Sequence, residues 1–138
     1  MHTGFTEHRI QAASACEVLI VEDDNISRRV LSTILAQLGF SRIDMEENGE
    51  AAAQAAAGKR YDLIFMDLRL PVMDGLTAAR QIMKVRADDP PVMIAVTTNT
   101  LPEIKEQCLA AGMAGYIVKP YYKATLVEEL QPFLPVTM

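Results

Sequence analysis

The sequence has little cysteine, little histidine, no excess of positive charge and no long apolar run, and each shortage removes a class of function. Its two cysteines, Cys16 and Cys108, show no CxxC spacing, which argues against a disulfide framework and suits a reducing compartment. The histidines, His2 and His8, lie in a polar leader without ligand-like neighbours and read as solvated. The 13 basic residues stand against 18 acidic ones, a formal net charge of -5, which opposes nucleic acid or an anionic membrane as the main partner. Apolar stretches such as Leu63 to Met66 are far too short to span a bilayer. No basic region followed by an apolar run marks a secretory signal. The expected setting is the cytoplasm, with no direct contact to nucleic acid or membrane.

What is present is a core. Half of the 138 residues are hydrophobic, enough for one well-packed domain. Residues 1–16 show no clear period and read as a tail or a short leader helix. Short continuous apolar runs follow: Val18 to Val21, Leu63 to Met66, Val92 to Val96 and Tyr116 to Val118. Runs of this kind read as strands buried on both faces, as parallel sheets require. Arg42 to Met45 alternates instead, as an edge strand does. Helical patterns lie between the runs. Ile26, Val30, Ile34, Leu35 and Leu38 form one stripe, stopped by Gly39. Glu50 to Ala57 is an alanine-rich helix stopped by Gly58, and Leu76, Ala79, Ile82 and Met83 form a third stripe. Thr100-Leu101-Pro102-Glu103 reads as a capping box, followed by Ile104, Cys108, Leu109 and a stop at Gly112. Leu126, Val127 and Leu130 form the last stripe before Pro132. Strands and helices alternate, so the fold class is a doubly wound α/β domain with a five-stranded parallel sheet.

In an open parallel sheet, ligands bind beyond the carboxyl ends of the strands. That rule selects Glu22, Asp23 and Asp24 after the first run, Asp67 after the third strand, Thr97 after the fourth and Lys119 after the fifth. Singly, each has an ordinary explanation: a solvated loop, a helix cap, a surface lysine. Their joint placement at four strand ends calls for a shared chemistry. Crowded carboxylates repel, and a hard divalent cation such as Mg²⁺ relieves that repulsion. A carboxylate kept ionised in this way can attack phosphorus and form an aspartyl phosphate. The charge on the transferring group's oxygens then needs cations and donors, which Mg²⁺, Lys119, Thr97 and backbone amides supply.

Four stretches carry a family resemblance: VLIVEDDN at 18–25, YDLIFMDLRLPVMDG at 61–75, IAVTTNT at 94–100 and GYIVKP at 115–120. Together they resemble the response-regulator receiver domains of two-component signalling. The resemblance implies a flavodoxin-like strand order 2-1-3-4-5. It also implies a leader over 1–16, a receiver domain over 17–134 and a tail over 135–138. It makes Asp67 the phosphoacceptor, Asp23 a direct Mg²⁺ ligand, Glu22 an acid acting mostly through metal-bound water, and the Arg69 backbone carbonyl a further ligand. Thr97 becomes the switch hydroxyl, Tyr116 the switch aromatic, Lys119 the phosphoryl-site lysine, and Lys119–Pro120 a cis peptide. Asp24 matches no role beyond an N-cap or solvated acid, and Asp74-Gly75 reads as a turn and cap. Two positions depart from the common pattern: Thr98 replaces a small residue, and Ala114 stands where an acid is frequent.

The resemblance further implies a signalling domain that catalyses only its own phosphorylation and dephosphorylation. Its expected partner is a sensor histidine kinase or a histidine-phosphotransfer protein, and its expected state is a monomer or weak dimer. The segment from Glu106 to Met113 resembles hybrid-kinase receivers more than those fused to DNA-binding domains. That favours a hybrid-kinase receiver over a free single-domain regulator. A metal-dependent phosphohydrolase with an aspartyl nucleophile fits less well. It needs a second carboxylate two residues after the nucleophile, where this chain has Arg69. A flavin or nucleotide module would need a glycine- or hydroxyl-rich phosphate loop after the first strand, and this loop is acidic.

Overall fold

The computed structural model describes residues 12–134. The leader reading for the first eleven residues, with His2 and His8, and the tail reading for 135–138 lie outside the described residues. A short 3-10 turn at Ala13–Ala15 precedes the first strand. The elements then alternate: β1 (Glu17–Val21), α1 (Asn25–Gln37), β2 (Arg42–Glu46), α2 (Gly49–Gly58), β3 (Leu63–Asp67), α3 (Gly75–Val85), β4 (Val92–Thr97), α4 (Pro102–Ala110), β5 (Gly115–Val118) and α5 (Lys123–Leu130). The sheet is parallel throughout, in the order β2-β1-β3-β4-β5. No helix among the described residues is long and apolar enough to cross a membrane.

The two-residue period of each strand divides the core. Val18, Ile20, Leu63, Phe65, Ile94 and Val96 face α1 and α5, where Leu31, Leu35, Leu126 and Leu130 meet them. Leu19, Val21, Ile64, Met66, Met93 and Ala95 face α2, α3 and α4. Every residue of β3 and β4 is buried, as helices on both faces require. β2 is the wetter edge strand, with no residue of the strand fully buried. The alanines of α2 serve close packing: Ala52 and Ala56 are buried in the same cluster as Ala78 and Ala79 of α3. Gly49 is tighter still, since a Cβ there would lie 1.9 Å from the Met73 carbonyl oxygen.

Three expectations are corrected. The α1 stripe merges two faces. Leu31, Leu35 and Leu38 are buried, whereas Ile26 is 72% and Val30 47% exposed. With 3.6 residues per turn, neighbours in sequence lie about 100° apart on the helix, so the 26-30-34 row stands beside the buried row. Gly58 is the last residue of α2 rather than a stop after it, and Lys59 follows in extended conformation. Gly39 and Gly112 are the positive-φ stops, at φ 103 and 93. The capping box at Thr100 does not form: α4 starts at Pro102 with Leu101 at the N-cap position and no capping side chain among the described residues. Asn99 accounts for this, because its Oδ1 accepts the Leu101 N–H at 3.0 Å and sets the turn before the helix.

Candidate phosphoryl and metal site

Strand register assembles the site. Val21 pairs with Met66, so Glu22 stands level with Asp67. Asp67 pairs with Val96, which puts Thr97 one step beyond it on β4. Thr97 pairs with Val118, and the Lys119 N–H donates to the Thr97 carbonyl at 2.8 Å. The structure thus brings together residues from four strand ends that are as much as 97 positions apart in sequence.

The carboxylates of Glu22, Asp23 and Asp67 each offer an oxygen within 4.8 Å of the others. Asp67 is 7% exposed and held at both oxygens: Oδ1 accepts from the Arg69 N–H at 2.9 Å, and Oδ2 lies 2.9 Å from Lys119 Nζ. Lys119 Nζ also donates to Glu22 Oε1 at 2.5 Å. Glu22 Oε2 accepts from the Asp24 N–H at 3.1 Å, and its backbone carbonyl accepts from Arg28 at 2.8 Å. Asp23 is exposed at the mouth. Asp24 is set apart: its Oδ2 caps α1 by accepting from the Ser27 N–H at 2.8 Å.

Burial pushes the Glu22 carboxyl above the usual carboxylate range. The hydrogen bonds from Lys119 and Asp24 pull the other way, and the neighbouring Asp67 charge adds to the rise. For Lys119, burial alone would lower the ammonium, but its hydrogen bonds to Glu22 and Asp67 and their charges outweigh that and hold it above its ordinary value. The pocket therefore concentrates negative charge that one internal cation only partly offsets. Three hard oxygen ligands, one of them exposed to water, form a donor set that fits Mg²⁺.

The β3–α3 loop fixes the height of Asp67. Asp74 caps α3 by accepting from the Thr77 N–H at 2.9 Å. Gly75 lies so close to β3 that a Cβ would come within 2.2 Å of the Asp67 carbonyl oxygen. Two residues before Asp74, Val72 adopts φ 70, with a Met73 N–H to Pro71 carbonyl bond of 2.7 Å, a strained γ-turn for a β-branched residue. On the opposite rim the Lys119–Pro120 peptide is cis.

Thr97 is 1% exposed, and its Oγ1 accepts from the Asn99 N–H at 3.1 Å. Tyr116 is half-buried on β5, and its hydroxyl donates to the Asn99 carbonyl. Burial raises the Tyr116 hydroxyl above its ordinary value. The sequence gives no sign of the Asn99 contacts or of the exposed apolar rim, and it shows Gly75 only as part of a turn. Gly75 had a readable signal in the Asp-Gly pair, although the close approach to Asp67 is a tertiary fact. The rim is a cavity of about 370 Å³ beside the site, lined by Ile26, Ser27, Val30, Thr98, Lys119, Pro120 and Tyr121.

Fold and site together define a parallel α/β domain with a lysine-held carboxylate cluster at its strand ends, and comparison with known proteins agrees. The chain belongs to the response regulator receiver domain family, whose model matches residues 18–131. It is 40% identical to the receiver domain of a sensor histidine kinase from Pseudomonas aeruginosa, with a TM-score of 0.74 over 86% of this chain and 96% of that one. A magnesium ion is coordinated in the active-site cleft of that structure. The receiver domain of a histidine kinase from Arabidopsis thaliana, complexed with Mg²⁺ and BeF₃⁻, is 28% identical, with a TM-score of 0.73 over 83% of this chain and 87% of that one. A probable histidine kinase from Oryza sativa subsp. indica is 33% identical over 90% of this chain. The chain spans 16% of the length of that curated relative.

Proposed function

We propose that this receiver accepts a phosphoryl group on Asp67 from a phosphohistidine, in a Mg²⁺-dependent step of a phosphorelay. The observation that carries the reading is the setting of Asp67. One of its oxygens lies 2.9 Å from the Lys119 ammonium, and its carboxylate shares a 4.8 Å cluster with Glu22 and Asp23. An Asp67 oxygen forms the new P–O bond. The P–N bond breaks, and the imidazole leaves with its electron pair, protonated at its other nitrogen. Lys119 and the Thr97 hydroxyl stabilise the phosphoryl oxygens. Glu22, Asp23, Asp67 and the Arg69 carbonyl would hold Mg²⁺, which supplies charge neutralisation when bound. The Arg69 N–H donates to Asp67 Oδ1 at 2.9 Å, which keeps the start of this loop next to the carboxylate. Thr97 and Tyr116 would then report the new charge to the α4–β5–α5 face.

The donor is a protein, a sensor histidine kinase or a histidine-phosphotransfer protein. The apolar rim of Ile26, Val30, Pro120 and Tyr121 beside a nearly buried acceptor supports this, because a small donor gains nothing from covering it. The domain acts in the cytoplasm as a monomer or weak dimer, and residues 17–134 form its receiver unit. Phosphohydrolase action is disfavoured, since Arg69 is exposed and permanently charged where a general acid/base would stand. The test is Mg²⁺-dependent labelling by a phosphorylated histidine protein, read by intact mass. Asp67→Asn abolishes it; undiminished labelling of that variant excludes Asp67 as acceptor.

A further inference from the structure

The β1–α1 loop carries two of the three clustered carboxylates, and the two are held differently. Glu22 is fixed at each polar group. Its N–H donates to the Glu46 carbonyl at 3.0 Å, its carboxylate meets Lys119 and the Asp24 N–H, and its carbonyl accepts from Arg28 Nη1 at 2.8 Å. The Asp23 carboxylate is exposed, and no hydrogen bond or ion pair holds it among the described residues. Its place is therefore set by its backbone. Asp24 fixes that backbone on one side by capping α1. On the other side the Glu22–Asp23 peptide is gripped by the Arg28 guanidinium. Arg28 stands near the start of α1 with its side chain 13% exposed. Its Nη2 donates to Asn25 Oδ1 at 3.0 Å and lies 3.7 Å from Glu47 Oε2. A planar guanidinium fixed at several points is a strut that a lysine does not reproduce.

We propose that Arg28 is a positioning residue for the metal site, holding the Glu22–Asp23 peptide so that the Asp23 carboxylate stands where Mg²⁺, rather than a larger cation, can use it. The inference rests on the phosphoacceptor reading of Asp67 and adds a determinant of ion selectivity to that site. Mg²⁺ demands near-octahedral oxygens at about 2.0–2.1 Å, whereas Ca²⁺ accepts looser arrangements at about 2.3–2.6 Å. A freed peptide lets the Asp23 carboxylate drift, which costs the smaller ion more. The charge of Arg28 works in the opposite direction, because a guanidinium near the cluster repels a cation. Removing a mere charge tightens metal binding; removing a strut weakens it. The two roles differ in sign.

The experiment titrates the full chain with Mg²⁺ and, separately, with Ca²⁺ by calorimetry, with urea melts to show that each variant is folded. Arg28→Met removes strut and charge, whereas Arg28→Lys keeps the charge and loses the fork. Both weaken Mg²⁺ binding about tenfold, the low end of the loss when a group supporting a metal ligand is removed. Ca²⁺ binding falls by a smaller factor, so the ratio of Mg²⁺ to Ca²⁺ affinity drops, which general destabilisation does not produce. Asn25→Ala removes one partner of the guanidinium and leaves its bond to the Glu22 carbonyl. It shifts the ratio the same way by about two- to threefold, the worth of a weak hydrogen bond, and carries the test where Arg28→Met does not fold. Tighter Mg²⁺ binding in Arg28→Met with no change in Arg28→Lys makes Arg28 a charge and overturns the proposal. So does an equal loss for the two ions. Either result leaves the phosphoacceptor reading standing. A wild-type chain that binds no Mg²⁺ and takes no label on Asp67 overturns both.

Discussion

Replacing Lys119 by methionine measures how much of the resting site depends on one internal cation. The ammonium lies 2.5 Å from Glu22 Oε1 and 2.9 Å from Asp67 Oδ2, and those two side chains are only 7% and 9% exposed. Methionine keeps most of the stem and removes the charge, so two carboxylates share a water-poor pocket with no cation. Removing one partner of a buried pair costs about 3–5 kcal/mol. The Lys119 side chain retains 20% exposure, so solvent screens part of the effect and the lower end, about 3 kcal/mol, applies. For a domain of this size that lowers Tm by roughly 10 °C. On the proposed ligand set the deficit depends on metal, because Mg²⁺ would draw on the same carboxylates. A variant without its own cation binds Mg²⁺ more tightly, and each tenfold gain in affinity adds about 1.4 kcal/mol of stabilisation at saturating metal. Urea melts of both proteins, with and without millimolar Mg²⁺, read both quantities. A metal-free loss below about 1 kcal/mol, the range of an exposed pair, refutes the reasoning. So does Mg²⁺ that stabilises the two proteins equally.

Gly75→Ala forces a Cβ to within 2.2 Å of the Asp67 carbonyl oxygen, so stability falls by about 2 kcal/mol or more and Asp67 labelling slows. Gly58→Ala is the control: nothing lies within 4 Å, and helix propensity predicts a gain of about 0.5–1 kcal/mol in the same melts. Asp23→Asn weakens Mg²⁺ binding by calorimetry more than Asp24→Asn, since Asp24 spends its carboxylate on the Ser27 N–H; the reverse order rejects the ligand assignment. Ile26→Asp places a charge on the apolar rim and slows phosphotransfer from a histidine-phosphotransfer protein while leaving labelling by acetyl phosphate unchanged; equal slowing of both removes the rim from partner binding. Hydrogen bonds from Tyr61 and then Lys59 hold the Asp44 carboxyl below the usual carboxylate range. A depressed carboxylate stabilises the fold above its unfolded pKa and loses that contribution as pH falls through its folded value, so Asp44→Asn flattens the acid limb of stability against pH.

The strand ends were legible because β3 and β4 are buried on both faces, which leaves an unbroken apolar run whose last residue marks the sheet edge. Once Val21, Met66, Val96 and Val118 are located, the parallel register places Glu22, Asp67, Thr97 and Lys119 together without further information. Helix faces were less legible for a reason tied to α1. Hydropathy records that Ile26, Val30, Ile34, Leu31 and Leu35 are apolar, but not which row has a sheet beneath it. Leu31 and Leu35 do, whereas Ile26 and Val30 line the cavity shared with Pro120 and Tyr121. Asn99 shows a second kind of blindness. The Thr100–Glu103 spacing satisfies the capping-box pattern, yet a side chain one residue earlier competes for the same stretch of backbone and wins, moving the start of α4 to Pro102. Local patterns rank the ways a segment can cap itself; the Thr97 and Tyr116 contacts that bind Asn99 to the sheet decide among them. The residues hardest to read in sequence are thus those whose partners lie across the sheet edge, because no local pattern records a contact between strands that are distant in the chain.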